Sequence, residues 1–144
     1  MRALLLSSTI ALLAAGPCAA AEFPEPPPDA PAAQAAGLQR LTAAQLESAF
    51  AGRREERNSR GELYIAQYRA DGSVELRAAG GVIDRGAFRV MDQHGGSVCL
   101  MLEKQMNQRL CSIWFAAPDG MHLFGYNPTD GRLRVISRAV NAER

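Results

Sequence analysis

The sequence has few of the residues from which catalytic and metal sites are usually built. It contains two histidines, three cysteines and one tryptophan. It has no G-x-S-x-G nucleophile motif, no glycine-rich dinucleotide motif and no P-loop. The carboxylates Asp71, Asp119 and Asp130 belong to glycine-containing turns, which account for them structurally. We therefore predict no catalytic residues, no cofactor and no enzymatic activity.

A large net charge is also missing. The chain has 16 basic and 15 acidic side chains, and Lys104 is its single lysine. Residues 1–21, which we predict to be a removable signal peptide, contain Arg2 and no acid, so the mature chain has 15 charges of each sign. A balanced charge produces no strong long-range field, so we expect neither nucleic acid nor an anionic membrane surface as the main partner.

Long apolar segments are absent after the first residues of the chain. Residues 1–21 begin with Arg2, continue as an apolar segment and end in an A-x-A site at 19–21. This pattern predicts a signal peptide cut before Glu22, and hence a periplasmic or secreted protein. A bilayer span needs about 20 apolar residues, so we expect no transmembrane segment in the mature chain. The alternative for this region is a lipoprotein acylated at Cys18.

Proline and alanine dominate residues 22–37. Prolines restrict the backbone and cannot donate to a β-ladder, so this stretch is predicted to be an extended or disordered linker. Residues 38–144 then have the length of a single domain.

A short helix is predicted at the start of that domain. Thr42 and Gln45 have the spacing of a capping box, which predicts a helix over residues 43–51 that ends before Gly52. The next segment, residues 53–60, carries six charges of both signs and is predicted to be a solvated loop.

From Glu62 onward the pattern changes to a period of two, with seven short segments separated by turns. Asp71-Gly72 favours a two-residue hairpin turn, and Gly86 predicts a bulge or a close backbone approach. The expected fold is mainly β, an antiparallel meander of about seven strands in a strongly curled sheet or small barrel. The helix would cover one opening or face.

Cys99 and Cys111 are predicted to form a disulfide. A hairpin closed around Gln105 places them directly opposite each other on neighbouring strands, at the separation that a disulfide requires. Export leads to an oxidising compartment, and loss of Cys18 with the signal peptide leaves an even number of cysteines.

Other uses of the two cysteines are less well supported. A redox pair favours a C-x-x-C spacing at a helix start. Zinc needs three or four ligands, and His94 and His122 are isolated in the sequence. Copper could use Met101, Met106 and Met121, which lie in the same third of the chain as His122, but Met101 alternates as a core residue and Met106 lies at a hairpin tip. We predict no metal site.

One candidate binding surface is visible in the sequence. Arg132, Arg134 and Arg138 have the spacing of one face of the last strand, and Trp114 and Tyr126 are candidate exposed aromatics. Such a surface could meet an acidic partner or a cell-wall polymer, and the alternative is an ordinary solvated face.

Several motifs occur in a recognisable order. L-T-x-x-Q-L precedes a glycine, Y-R-A-D-G-S-V and a G-x-aromatic at Gly86 to Phe88 follow, and the cysteine pair and a final D-G-R complete the series. Over residues 41–138 the chain resembles small exported proteobacterial proteins with an uncharacterised β-rich domain and a cysteine pair. The resemblance implies export and a β-rich fold, and it implies no reaction.

Two functional hypotheses follow. The first is an exported interaction module that binds an unknown protein or envelope component, in the manner of an inhibitor-like or envelope-associated domain. The alternative is a lipocalin-like carrier, whose barrel would enclose a small apolar ligand. A carrier needs an interior cavity, whereas a module with a packed centre would expose aromatic side chains. The sequence indicates no oligomeric state.

Overall fold

Antiparallel strands form most of the structure. The computed structural model describes residues 23–140; the predicted signal peptide and Cys18 lie outside the described residues. Two helices come first, α1 (Ala30–Ala35) and α2 (Ala43–Ala49). The strands are β1 (Gly52–Asn58), β2 (Leu63–Tyr68), β3 (Ser73–Ala78), β4 (Gly81–Met91), β5 (Ser97–Leu102), β6 (Arg109–Ala116), β7 (His122–Tyr126) and β8 (Leu133–Ala139).

The eight strands form a closed barrel. Each strand pairs antiparallel with the next along the chain, and β1 pairs with β8 to complete the ring. The predicted mainly-β meander is therefore confirmed, and the seven predicted strands are β2 to β8. Closure leaves no unpaired strand edge in the ring, which removes the aggregation risk of an open sheet.

The strand that closes the ring is the one that we predicted to be a loop. β1 (Gly52–Asn58) pairs with β2 on one side and β8 on the other. The predicted solvated loop is wrong because Arg54 and Glu56 point into the barrel, where both are buried. Their polar groups are satisfied inside, so an almost entirely charged segment can be a central strand.

Helix α2 closes one end of the barrel. The capping box is present as predicted: Thr42 accepts a hydrogen bond from the Gln45 amide, and the Gln45 side chain accepts one from the Thr42 amide. Leu46 and Phe50 are buried in the inner core, and the Phe50 ring lies 4.8 Å from that of Trp114 between centroids. We call this end the closed end; the opposite end, which carries the loops 59–62, 79–80, 103–108 and 127–132, is the mouth.

The segment before α2 is folded against the barrel wall. We define residues 23–40 as the N-terminal arm. The predicted extended or disordered linker is wrong for this part of the chain, because α1 forms with Asp29 as its N-cap and Ala33 is completely buried. The arm covers an outer cluster on β6, β7 and β8 that includes Phe115 and Phe124. Pro31 is tolerated in the first turn of α1, because the backbone N–H that proline lacks has no intrahelical partner at a helix start.

Two local predictions about the sheet are confirmed. Cys99 and Cys111 are register partners of β5 and β6 and form a disulfide. Gly86 marks a close approach, since a Cβ built there would lie 1.9 Å from the Met101 carbonyl oxygen. No helix within residues 23–140 has the length and apolar character needed to cross a membrane.

Candidate functional site

A cavity of about 580 Å³ opens at the mouth of the barrel. Seven of the eight strands contribute to its lining, so it is the open interior of the barrel and not a groove on its outside. Its volume lies within the range of about 300–1,000 Å³ that is usual for small-molecule sites. The lining residues that lie on strands are Asn58, Tyr64, Leu76, Ile83, Asp84, Leu100, Leu102, Leu110, Ser112, Arg134 and Val135.

The wall of the cavity has an aliphatic part and a polar part. Alternation along the strands sends every second side chain inward, and here this brings aliphatic residues of several strands together. The six aliphatic residues are Leu76, Ile83, Leu100, Leu102, Leu110 and Val135. The other ten lining residues are polar or charged, and among them are the hydroxyls of Tyr64 and Ser112.

Two carboxylates at the mouth are already engaged by the protein. Asp84 is buried, and its Oδ1 accepts hydrogen bonds from the backbone amides of Arg85 and Lys104 at 2.8 and 3.1 Å. Glu62 accepts from the Asn58 side chain at 2.5 Å and forms an exposed ion pair with Arg60 at 3.3 Å. One oxygen of each carboxylate is therefore engaged by the protein.

Arg134 is the main unpaired charge at the mouth. It is half-buried, and its Nε has no hydrogen-bond partner within residues 23–140. Burial lowers the pKa of its guanidinium from its ordinary value, and the negative charge of the nearby Asp130 acts in the opposite direction. An arginine remains charged at neutral pH in spite of such a shift, so Arg134 places a positive charge at the mouth.

Below the cavity lies a buried polar cluster, which we call the inner network: Arg54, Glu56, Tyr68 and Ser137. Arg54 Nε donates to Ser137 Oγ at 2.6 Å, and that hydroxyl donates to Glu56 Oε1 at 3.0 Å. The Tyr68 hydroxyl donates to the same oxygen at 3.0 Å. Arg54 also donates to the Ala49 carbonyl at 2.9 Å, which ties the last turn of α2 to the barrel interior.

The inner network shifts the protonation of its carboxyl. Burial raises the pKa of Glu56, and the hydrogen bonds from Tyr68 and Ser137 and the charge of Arg54 reduce this rise without reversing it. Burial, and next the neighbouring Glu56, raise the pKa of the Tyr64 and Tyr68 hydroxyls. Tyr64 lines the cavity and faces Glu56, so it separates the ligand space from the network.

The two aromatics predicted at a binding surface are not on the surface. Trp114 lies inside the barrel and is 2% exposed, because it shares the inward face with Ser112. Tyr126 is 0% exposed, because the N-terminal arm covers the outer face of β7. Its hydroxyl donates to the Pro27 carbonyl at 2.9 Å, which fastens the arm to the barrel.

The three arginines predicted to share one face are in different environments. Arg132 precedes β8, and its backbone forms an isolated antiparallel β-bridge with that of Asp29 in the arm. Arg138 donates to Glu55 at 2.7 Å and lies over the ring of Phe23. Only Arg134 lines the cavity. A register irregularity between β7 and β8 at Gly125 and Tyr126 interrupts the regular spacing on which the prediction depended.

His122 and Met106, which the sequence analysis rejects as metal ligands, have other surroundings. His122 is buried beside Phe23 and pairs with Asp119 at 2.5 Å, and Met106 is 91% exposed. Within residues 23–140 no three His, Cys, Asp or Glu side chains are grouped as a metal site would need.

Apart from Arg134, the residues that line the cavity are not among the site residues that the sequence predicts. The period-two pattern does assign Tyr64 to one face with Ala66 and Tyr68, and this assignment agrees with the structure. However, the pattern cannot show which of the inward positions meet packed side chains and which meet open space.

Comparisons of the chain with protein-family models, with curated proteins and with solved structures gave no match. The resemblance to small exported proteins stays a prediction, and the chemistry of the cavity is the main guide to function.

Proposed function

We propose that this protein is an exported, non-enzymatic binding protein that takes a small, largely apolar ligand into the mouth of its barrel. The observation that carries the proposal is the cavity lined by inward-facing residues of seven strands. The aliphatic part of the wall provides binding energy through burial, and the polar groups beside it fix the orientation of the ligand. This is the carrier hypothesis of the sequence analysis.

The placement of the aromatic side chains also favours a carrier. A packed interaction module is expected to expose aromatic side chains such as Trp114 and Tyr126, and both are buried. The disulfide is consistent with export, since such bonds persist in oxidising compartments.

The experiment fills the cavity with a larger side chain. Leu110→Trp places an indole in the mouth, and Leu63→Trp makes the same change at an exposed position. The full-length protein is titrated with the uncharged fluorophore N-phenyl-1-naphthylamine. We expect the wild type and Leu63→Trp to bind it and Leu110→Trp to bind at least about tenfold more weakly. Equal binding by both variants, or no binding by the wild type, would contradict the proposal.

A partner-binding module is the second candidate, and one observation favours it. Arg85, Arg89 and Arg109 are exposed on the outer face of β4 and β6, next to the exposed Met101 of β5. Mass spectrometry of protein purified from the exported fraction distinguishes the two candidates. A co-purified small molecule supports the carrier, and a stoichiometric acidic protein that is lost in Arg89→Glu supports the module.

A further inference from the structure

We infer that the ligand of the mouth cavity is an anionic amphiphile, with an apolar chain inside the barrel and a carboxylate or similar acidic head group at Arg134. This inference rests on the proposed function and adds the charge and orientation of the ligand.

The apolar part of the ligand follows from the wall. Leu76, Leu100, Leu110 and Val135 surround the space, and they come from four different strands of the barrel. A hydrocarbon chain against these side chains would lose part of its contact with water, which is the dominant favourable term for such a ligand.

The sign of the head group follows from which charges at the mouth are free. Glu62 is paired with Arg60, and Asp84 Oδ1 accepts two backbone amides. Among the described residues, neither Arg134 nor Lys104 forms a salt bridge with a carboxylate, although the charge of Asp130 acts on Arg134 from a longer distance. A half-buried guanidinium gains more from an arriving anion than an exposed one, because water screens it less.

The head group belongs at the mouth rather than at the floor. The cation nearest to the floor is Arg54, which is buried and already donates to Ser137 and to the Ala49 carbonyl. The carboxyl of Glu56 lies between this arginine and Tyr64 on the cavity wall. A negative head group at the floor would therefore meet a carboxyl before it met a cation.

The test compares three probes with the same chain and different head groups: decanoate, 1-decanol and decylamine. Each is titrated against the full-length protein loaded with N-phenyl-1-naphthylamine, and displacement of the fluorophore is measured. We expect decanoate to bind at least about tenfold more tightly than 1-decanol, because charge-assisted hydrogen bonds to arginine are the stronger kind. Decylamine should bind the least tightly.

Variants assign the preference to one side chain. Arg134→Gln should weaken decanoate about tenfold and leave 1-decanol unchanged, and Arg134→Lys should restore part of the loss. Arg53→Gln makes the same charge change at an exposed position of β1 and should alter neither probe. If Arg134→Gln proves unstable, Lys104→Gln should still reduce the ratio of decanoate to 1-decanol affinity.

The outcomes separate this inference from the proposed function. If 1-decanol binds as tightly as decanoate, or if Arg134→Gln and Arg53→Gln behave alike, the anionic head group is wrong and the carrier stands. Preference for decylamine also overturns it. If the fluorophore does not enter the wild-type protein at all, both the carrier and its ligand class are wrong.

Discussion

At the scale of single residues, the least expected feature is a charged cluster inside a small barrel. Arg54 and Glu56 are 4% and 2% exposed, and burial of unpaired charges is among the most unfavourable events in folding. The inner network offsets this cost because Ser137 bridges the two groups and Tyr68 donates to the same carboxylate oxygen. Burial still dominates the pKa of Glu56, which is raised.

The raised pKa of Glu56 predicts how stability depends on pH. Above pH 4.5, the ordinary pKa of this side chain, the unfolded chain releases the proton more readily than the folded protein does. The free energy of unfolding of the wild type should therefore fall, relative to that of Glu56→Gln, as pH rises from about 4 toward 8. The slope should approach about 1.4 kcal/mol per pH unit between the unfolded and folded pKa values.

Urea unfolding at several pH values measures this effect. Glu47→Gln removes the same charge from an exposed position of α2 and should follow the wild type across the range. A constant difference between wild type and Glu56→Gln from pH 4 to 8 would show that Glu56 titrates normally.

At the scale of elements, two segments behave differently from their sequence patterns. β1 lacks the apolar alternation of a strand, but its inward positions are satisfied by β2 and β8. The N-terminal arm is rich in proline, but it folds because the outer faces of β6, β7 and β8 present an apolar surface to cover. In both segments, contacts with distant strands override local preference.

We predict that the arm depends on the small side chain at its centre. Ala33 is completely buried, so Ala33→Arg should overfill the contact and destabilise the docked arm by about 1–3 kcal/mol. Ala35→Arg places the same side chain on the exposed side of α1 and should have little effect. Hydrogen exchange at the Ala36 amide, which donates to the Ala32 carbonyl, reports whether α1 stays folded. Equal exchange in the two variants would mean that the arm is held elsewhere.

At the scale of the whole molecule, one covalent bond and one ring of backbone hydrogen bonds hold the barrel. The disulfide joins β5 and β6, and the pairing of β1 with β8 joins the two ends of the meander. The arm covers the outside and α2 fills the closed end, so the mouth remains as the open part of the interior.

The disulfide should supply a substantial part of the stability. It joins residues 12 positions apart, and in the chain-entropy model a loop of this size contributes about 3 kcal/mol. The double variant Cys99→Ala/Cys111→Ala should therefore lose about 3 kcal/mol in urea unfolding. A reducing agent should destabilise the wild type by a similar amount and leave the double variant unchanged. Labelling of free thiols in the unreduced protein would contradict the bond itself.

Much of the fold can be predicted from the sequence because its signals are local. The capping box of Thr42 and Gln45, the turn at Asp71-Gly72 and the pairing of Cys99 with Cys111 each depend on a few neighbouring positions. The candidate site was not predictable in this way. Its lining comes from seven strands, and the predicted surface residues Trp114 and Tyr126 became buried through the barrel interior and the arm.

The strand period, the turns and the disulfide register can be predicted from the amino-acid sequence, because they follow from side-chain alternation and from residues close together in the chain. Three further features are visible only in the folded barrel: β1 is a strand, the arm packs on the wall, and the mouth holds an open cavity beside Arg134. Each of these features depends on hydrogen bonding, packing or open space between groups that are far apart in the chain. That balance of burial and pairing exists only once the ring of strands has closed.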